Sequence, residues 1–127
     1  MLDADTNQQE CQSYVLVVDD DVLVIETASA MLEALGLKTV VADSGGQGIA
    51  LLKEKMDRID AVLMDVTMPE LNGVEAALRM VELGFKKLII LSSGYSSVNV
   101  PDVLKKRVQF LKKPYRMDTL QKLLGKG

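Results

Sequence analysis

The sequence has 127 residues, 48% of them hydrophobic, and a formal net charge of −3, which predicts one compact domain that needs no disulfide or structural metal. The absence of histidine excludes Ser-His-Asp and Cys-His catalysis, histidine metal sites and a histidine phosphate donor, and the acidic balance argues against direct nucleic-acid binding. A single cysteine, Cys11, and the lack of an apolar run of about 20 residues predict a cytoplasmic protein with no membrane association.

Two regions differ in their sequence pattern. Residues 1–13 are polar and aperiodic, so we expect a flexible leader there and a folded domain over residues 14–125. Within that domain, short apolar runs alternate with segments of helical periodicity. The apolar runs predict five strands, at residues 14–18, 38–42, 61–64, 88–91 and 108–111.

The segments between the strands carry helix signals. Ser44 is a candidate helix N-cap, and Gly36 and Gly84 follow apolar stripes where a helix would end. The segment that contains Pro101 leaves room for only a short or irregular fourth helix before the fifth strand. Repeated strand–helix units predict an α/β fold. We expect a doubly wound, five-stranded parallel sheet of flavodoxin-like order 2-1-3-4-5, with helices on both faces.

Polar side chains follow four of the predicted strands. Asp19 and Asp20 follow the first strand, Asp65 the third, Ser93 the fourth and Lys113 the fifth. In an open α/β sheet these strand ends form the ligand-binding edge. Two carboxylates about 4 Å apart repel by roughly 4 kcal/mol, so such a cluster requires protons or cations. Mg²⁺ and the lysine ammonium are suitable partners and would together stabilise a transferring phosphoryl group.

Four motifs resemble those of receiver domains of two-component response regulators, including chemotaxis receivers. They are VLVVDDD at 15–21, VLMDVTMPELNGVEA at 62–76, ILSSGY at 90–95 and FLKKPY at 110–115. The resemblance covers residues 14–124. SSGY and KKPYRMDTL are most similar to receivers attached to hybrid sensor kinases, so the chain is either a stand-alone receiver or a piece of such a kinase.

The resemblance implies a role for each residue of the predicted cluster. Asp65 is the expected phosphoryl acceptor. Asp19 and Asp20 match the acidic pair that holds Mg²⁺, and Thr67 matches the position whose backbone carbonyl also ligates the metal. Lys113 matches the lysine that pairs with the phosphoryl group.

The resemblance also implies a conformational switch. Ser93, which precedes a glycine, is preferred over Ser92 as the hydroxyl that contacts the phosphoryl group. Phe110 matches the aromatic switch position, and the peptide bond between Lys113 and Pro114 is expected to be cis.

The implied function is a phosphorylation-activated signalling switch. A sensor histidine kinase or phosphotransfer protein would donate the phosphoryl group, and a downstream protein would receive the signal from a monomer or weak homodimer. No independent enzyme substrate is expected, and Thr67 argues against a haloacid-dehalogenase-like phosphatase, which needs a second aspartate there. The alternative is a pseudo-receiver that binds proteins without phosphorylation. Taken alone, the run from Asp19 to Asp21 also fits a simple helix cap.

Overall fold

The structure, a computed structural model, describes residues 14–94 and 98–124. The predicted leader, with Cys11, and residue 125 at the predicted domain end lie outside these residues. Within the described part of the chain, no helix is long and apolar enough to cross a membrane.

The five strands form one parallel sheet. They are β1 (Tyr14–Val18), β2 (Lys38–Ala42), β3 (Ile59–Asp65), β4 (Leu88–Ser93) and β5 (Val108–Lys112). The sheet order is β2-β1-β3-β4-β5, which confirms the predicted flavodoxin-like topology. The last three strands run beyond the predicted ends, because backbone pairing continues through polar residues, whereas the sequence pattern marks only the apolar run.

The helices begin and end at residues that the sequence marks well. They are α1 (Val22–Ala34), α2 (Gly45–Lys55), α3 (Gly73–Glu82), α4 (Asp102–Lys105) and α5 (Met117–Leu124), with a 3₁₀ turn at Met56–Arg58. The predicted N-cap, Ser44, accepts a hydrogen bond from the Gln47 N–H at 3.1 Å. Gly36 and Gly84 have φ angles of 86° and 105° after α1 and α3, where a side chain would be strained. The four residues of α4 confirm the prediction of a short fourth helix, although Pro101 lies just before it and not in its first turn.

The core consists of two apolar clusters, one on each face of the sheet. The larger cluster packs under α2, α3 and α4. It includes Met80 of α3, Leu104 of α4, and Phe85, which lies between α3 and β4. The smaller cluster includes Leu32 of α1 and Leu120 of α5. Because side chains alternate along each strand, the two covered faces leave only the strand ends free to carry polar groups.

Candidate functional site

Three carboxylates meet at the carboxyl edge of the sheet. Asp19 follows β1 and Asp65 ends β3, and these strands are neighbours paired through Val18 and Met64. Asp19 and Asp65 are 1% and 6% exposed, whereas Asp20 is exposed to solvent. One oxygen from each of the three carboxylates lies within 4.8 Å of the others. The structure therefore brings together the predicted acidic cluster.

Lys113 supplies a positive charge to this cluster. Its Nζ lies 2.9 Å from Asp19 Oδ2 and 3.1 Å from Asp65 Oδ1. Its backbone N–H donates to the Ser93 carbonyl at 2.8 Å, which fixes the start of the loop after β5. The peptide bond from Lys113 to Pro114 is cis, as the resemblance implied.

The three aspartates that follow β1, Asp19 to Asp21, serve two different roles, in the acidic cluster and at the start of helix α1. Asp21 is the N-cap of α1, and its side chain accepts a hydrogen bond from the Leu23 N–H at 3.0 Å. Asp19 accepts from the Asp21 N–H at 2.9 Å, which holds its carboxylate at the edge. The capping interpretation is thus right for Asp21, whereas Asp19 and Asp20 face the cluster.

A close backbone approach shapes the turn that follows Asp65. A Cβ atom on Gly73 would collide with the Asp65 carbonyl oxygen and come within 2.9 Å of Val66 Cα. The Gly73 N–H donates to the Val66 carbonyl at 2.8 Å, and the Val66 N–H donates to the Ser92 carbonyl at 2.9 Å. Thr67 is exposed, and its backbone N–H donates to the Asp65 carboxylate. Only glycine at position 73 allows this packing of α3 against the end of β3.

The environment shifts the ionisation of the two central groups. Burial raises the pKa of Asp65 above 3.8, and the Asp19 charge adds to this effect, while hydrogen bonds from Lys113 and the Thr67 N–H oppose it. Burial lowers the pKa of Lys113, but its ion pairs with Asp19 and Asp65 outweigh burial and raise this pKa above 10.5. The lysine therefore stays charged at neutral pH and offsets part of the carboxylate repulsion.

The two serines at the end of β4 lie in different surroundings. Ser92 is fully buried on the face of the smaller core cluster, where its Oγ lies 3.0 Å from the Tyr115 hydroxyl and 3.4 Å from the Met64 carbonyl. Ser93 is 4% exposed, and strand alternation places it on the opposite face of the sheet. Phe110 of β5 lies on that same face and is 46% exposed. The Ser92 hydroxyl thus contacts Tyr115 and Met64 on the face of the smaller core cluster, and Ser93 shares the other face with the predicted aromatic switch.

The donor chemistry of the cluster fits a hard divalent cation. Asp19, Asp20 and Asp65 offer carboxylate oxygens close enough to share one ion. Mg²⁺ prefers such oxygens and is commonly held in proteins by one or two carboxylates and water. Receiver domains as a family bind Mg²⁺ at an acidic cluster of this kind.

Two residues that shape the site were not predicted from the sequence. Gly73 lies in an Asn-Gly pair just before a helical stripe, which is a helix-start signal, and Asn72 is indeed the N-cap of α3. Tyr115 bonds to Ser92, and a serine inside an otherwise apolar strand is the signal that a buried polar partner exists.

Comparisons with known proteins agree with this geometry. Residues 15–125 match the family described as the response regulator receiver domain. The Autoinducer 1 sensor kinase/phosphatase LuxN of Vibrio campbellii is 32% identical over 112 residues, which cover 87% of this chain and 13% of LuxN. A CheY-like receiver domain protein from Methanospirillum hungatei is 27% identical with a TM-score of 0.76, over 87% of this chain and 90% of that one. Vibrio cholerae CheY4 is 26% identical with a TM-score of 0.74, over 91% and 98% of the two chains.

These matches differ in how much of each relative they cover. The chain spans only 13% of LuxN and 26% of the transcriptional regulatory protein ZraR of Escherichia coli, but nearly the whole of the solved receiver domains. Receiver domains of two-component systems interact with histidine kinases or phosphotransfer proteins. The family match covers most of the chain, and the fold agrees with it, so the chain belongs to the response regulator receiver domain family.

Proposed function

We propose that this chain is a cytoplasmic, phosphorylation-activated switch and that Asp65 accepts its phosphoryl group. The donor is a phosphohistidine on a sensor histidine kinase or phosphotransfer protein. One observation carries the proposal: the Asp65 carboxylate is 6% exposed and lies 3.1 Å from the Lys113 ammonium, beside two more carboxylates. A nucleophilic oxygen next to a fixed cation is the arrangement that phosphoryl transfer needs.

The transfer is a displacement at phosphorus. A carboxylate oxygen of Asp65 bonds to phosphorus while the bond from phosphorus to the imidazole nitrogen breaks, and the imidazole keeps that electron pair. The product is an acyl phosphate, which water later hydrolyses to the carboxylate and inorganic phosphate. Asp65 needs no general base, because its carboxylate is already the nucleophile. The chain therefore modifies only itself and has no separate substrate.

The remaining residues of the site bind and orient the phosphoryl group. Asp19, Asp20, Asp65 and the Thr67 carbonyl would hold Mg²⁺, which when bound supplies positive charge to the phosphoryl oxygens. Lys113 supplies a second positive charge next to Asp65, at the distance already observed. Asp19 holds the lysine in place through its own ion pair at 2.9 Å.

The signal leaves the site through Ser93 and Phe110. The Ser93 hydroxyl donates to the phosphoryl group and moves toward it, and Phe110, which is 46% exposed on the same face, turns inward behind it. Burial of a half-exposed aromatic ring changes the outer surface and its affinity for a downstream protein. The chain acts as a monomer or weak homodimer in this scheme.

An apolar surface next to the site suits the phosphohistidine-bearing partner. A cavity of about 370 Å³ is lined by residues of α1 and of the loop after β5, namely Leu23, Val24, Thr27, Lys113, Pro114 and Tyr115. Val22 and Leu23 at the start of α1 are 63% and 71% exposed beside it. Exposed apolar side chains of this kind favour a protein partner, and here they would bring its phosphohistidine to Asp65.

Intact mass spectrometry tests the proposal. Incubation with acetyl phosphate and Mg²⁺ should add one phosphoryl group to the wild-type chain, and chelation of Mg²⁺ or the Asp65→Asn substitution should prevent it. Asp60→Asn is the matched control, because Asp60 is an exposed aspartate of the same strand that pairs with Lys87. A lack of adduct on the wild type, or an equal adduct on Asp65→Asn, would contradict the proposal.

The alternative, a binding module without phosphorylation, predicts a different response. Beryllium fluoride with Mg²⁺ mimics a phosphoryl group on a carboxylate. It should change the NMR signals of the Phe110 ring if the switch is phosphorylation-dependent. Unchanged signals would favour the binding module.

A further inference from the structure

A partly buried hydrogen bond lies behind the edge of the sheet that carries the acidic cluster. The Tyr115 hydroxyl is 3.0 Å from Ser92 Oγ, and Ser92 Oγ is 3.4 Å from the Met64 carbonyl. The Met64 carbonyl can only accept, so when Ser92 donates its one proton to it, the Tyr115 hydroxyl donates to Ser92. The Tyr115 hydroxyl is protonated at neutral pH, and burial raises its pKa further above 10.

These contacts join the backbone segments that carry the reacting groups. Tyr115 lies two residues after Lys113, and Met64 directly precedes Asp65. The path from Tyr115 through Ser92 to Met64 therefore connects the loop that carries the ammonium to the strand that carries the carboxylate. The Lys113 N–H already binds the Ser93 carbonyl at 2.8 Å on the other side of Pro114. The loop is thus attached to β4 both before and after its proline.

Simple core packing does not require these polar groups. The ring of Tyr115 packs against the smaller core cluster, and phenylalanine would fill that space equally well. Likewise, Ser92 lies in a strand whose preceding residues, Leu88–Leu91, are all apolar. A fully buried serine paired with a partly buried tyrosine against this apolar cluster needs a reason other than packing.

We propose that Tyr115 and Ser92 are positioning residues, whose hydrogen bond holds the Lys113 ammonium against the Asp65 carboxylate. They touch neither the phosphoryl group nor the donor and act only through Lys113. For its kinetic consequence, this inference rests on the proposed function. The bond matters most while Asp65 gains its phosphoryl group. The Lys113 ammonium must then keep its position next to the Asp65 oxygen that bonds to phosphorus.

Kinetics of phosphorylation by acetyl phosphate with Mg²⁺ test the inference. Tyr115→Phe and Ser92→Ala should each lower the maximal rate about fivefold, the factor that corresponds to one neutral hydrogen bond. The acetyl phosphate concentration at half-maximal rate should not change. The double variant should be no slower than either single variant, because both remove the same bond.

A background without the lysine separates positioning from general stability. In Lys113→Ala, the further change Tyr115→Phe should leave the residual rate unchanged, because no ammonium remains to be positioned. An equal fold reduction in both backgrounds, or a wild-type rate for Tyr115→Phe, would overturn the inference. Tyr14→Phe is the matched control, because Tyr14 begins β1 at the opposite end of the sheet.

A second measurement does not depend on phosphorylation. Hydrogen exchange at the Lys113 amide reports how firmly the loop is held, and it should be about fivefold faster in Tyr115→Phe but unchanged in Tyr14→Phe. Unchanged exchange in Tyr115→Phe would overturn the inference. If the wild type takes up no phosphoryl group while the exchange responds as expected, the proposed function fails and the positioning role stands.

Discussion

Removal of the Lys113 charge should destabilise the fold as well as the site. Its Nζ lies 2.9 and 3.1 Å from the oxygens of Asp19 and Asp65. At an effective dielectric constant of about 20, each pair gains about 5–6 kcal/mol of gross attraction. Much of this offsets the loss of hydration, and deletion of one partner of a buried pair costs about 3–5 kcal/mol. Lys113 is 23% exposed, so we expect Lys113→Met to lower the free energy of unfolding by about 3 kcal/mol at neutral pH.

The loss should depend on the charge of the two carboxylates. Methionine keeps most of the apolar stem of the lysine, so the main change is the missing charge. The destabilisation should shrink at acidic pH, where Asp65 takes up a proton, and also on addition of Mg²⁺, which restores positive charge to the cluster. In the double variant with Asp19→Asn, the combined loss should be smaller than the sum of the two single losses.

Urea unfolding with and without Mg²⁺ measures this effect. Lys112→Met is the matched control, because Lys112 is the exposed neighbour of Lys113 on β5, and its free energy of unfolding should change by less than about 0.5 kcal/mol. If the two variants are equally stable at neutral pH without Mg²⁺, or if Mg²⁺ restores nothing to Lys113→Met, the charge balance described for the site is wrong.

Three further predictions concern the strand end, the ionisation of the site and the switch. Gly73→Ala should lower the free energy of unfolding by about 2 kcal/mol, because its Cβ would collide with the Asp65 backbone. Gly46→Ala should raise it by about 0.5 kcal/mol, because nothing lies within 4 Å of the added Cβ. Equal stability of the two variants in urea unfolding would refute this prediction. The pKa of Asp65 is raised in the folded state, so its contribution to stability falls as pH increases from 3.8 through the folded pKa. Asp65→Asn should therefore be more stable than the wild type at neutral pH without Mg²⁺ but not below about pH 3, and a gain that is independent of pH would contradict the shift. Phe85→Ala should lower the free energy of unfolding by about 3–5 kcal/mol, because Phe85 is 2% exposed. Phe110→Ala should lower it by less than about 1.5 kcal/mol, because Phe110 is 46% exposed. If thermal unfolding ranks the two variants in the opposite order, the Phe110 ring does not face solvent.

The sheet and its order were accessible from the sequence because both faces are covered. Buried parallel strands are continuous apolar runs, and β1 and β2 were predicted with their observed bounds. The bounds of β3 to β5 were too short at their carboxyl ends, where Asp65, Ser93 and Lys112 continue the backbone pairing. Polar residues interrupt the apolar pattern at these strand ends, so the pattern misses the ends, and the same polar residues indicate the site.

The sequence predicts which residues form the site better than it predicts the contacts between them. Strand order alone predicts that Asp19, Asp65 and Lys113 approach one another. It does not predict that Asp21 caps α1 while Asp19 faces the lysine, since neighbouring aspartates look alike in sequence. The partner of Ser92 was equally hidden, because Tyr115 reaches it from the loop after β5, which is distant from Ser92 in the sequence.

The position of the phosphoryl group is the most direct test of the central claim that Asp65 is the nucleophile beside the acidic cluster. Peptide mapping by mass spectrometry, after phosphorylation with acetyl phosphate and Mg²⁺ and reduction of the acyl phosphate with borohydride, identifies the modified residue. The account predicts modification at Asp65 alone, which disappears when Mg²⁺ is chelated. Modification at Asp19 or Asp20, or modification at Asp65 that persists without any divalent cation, would contradict it.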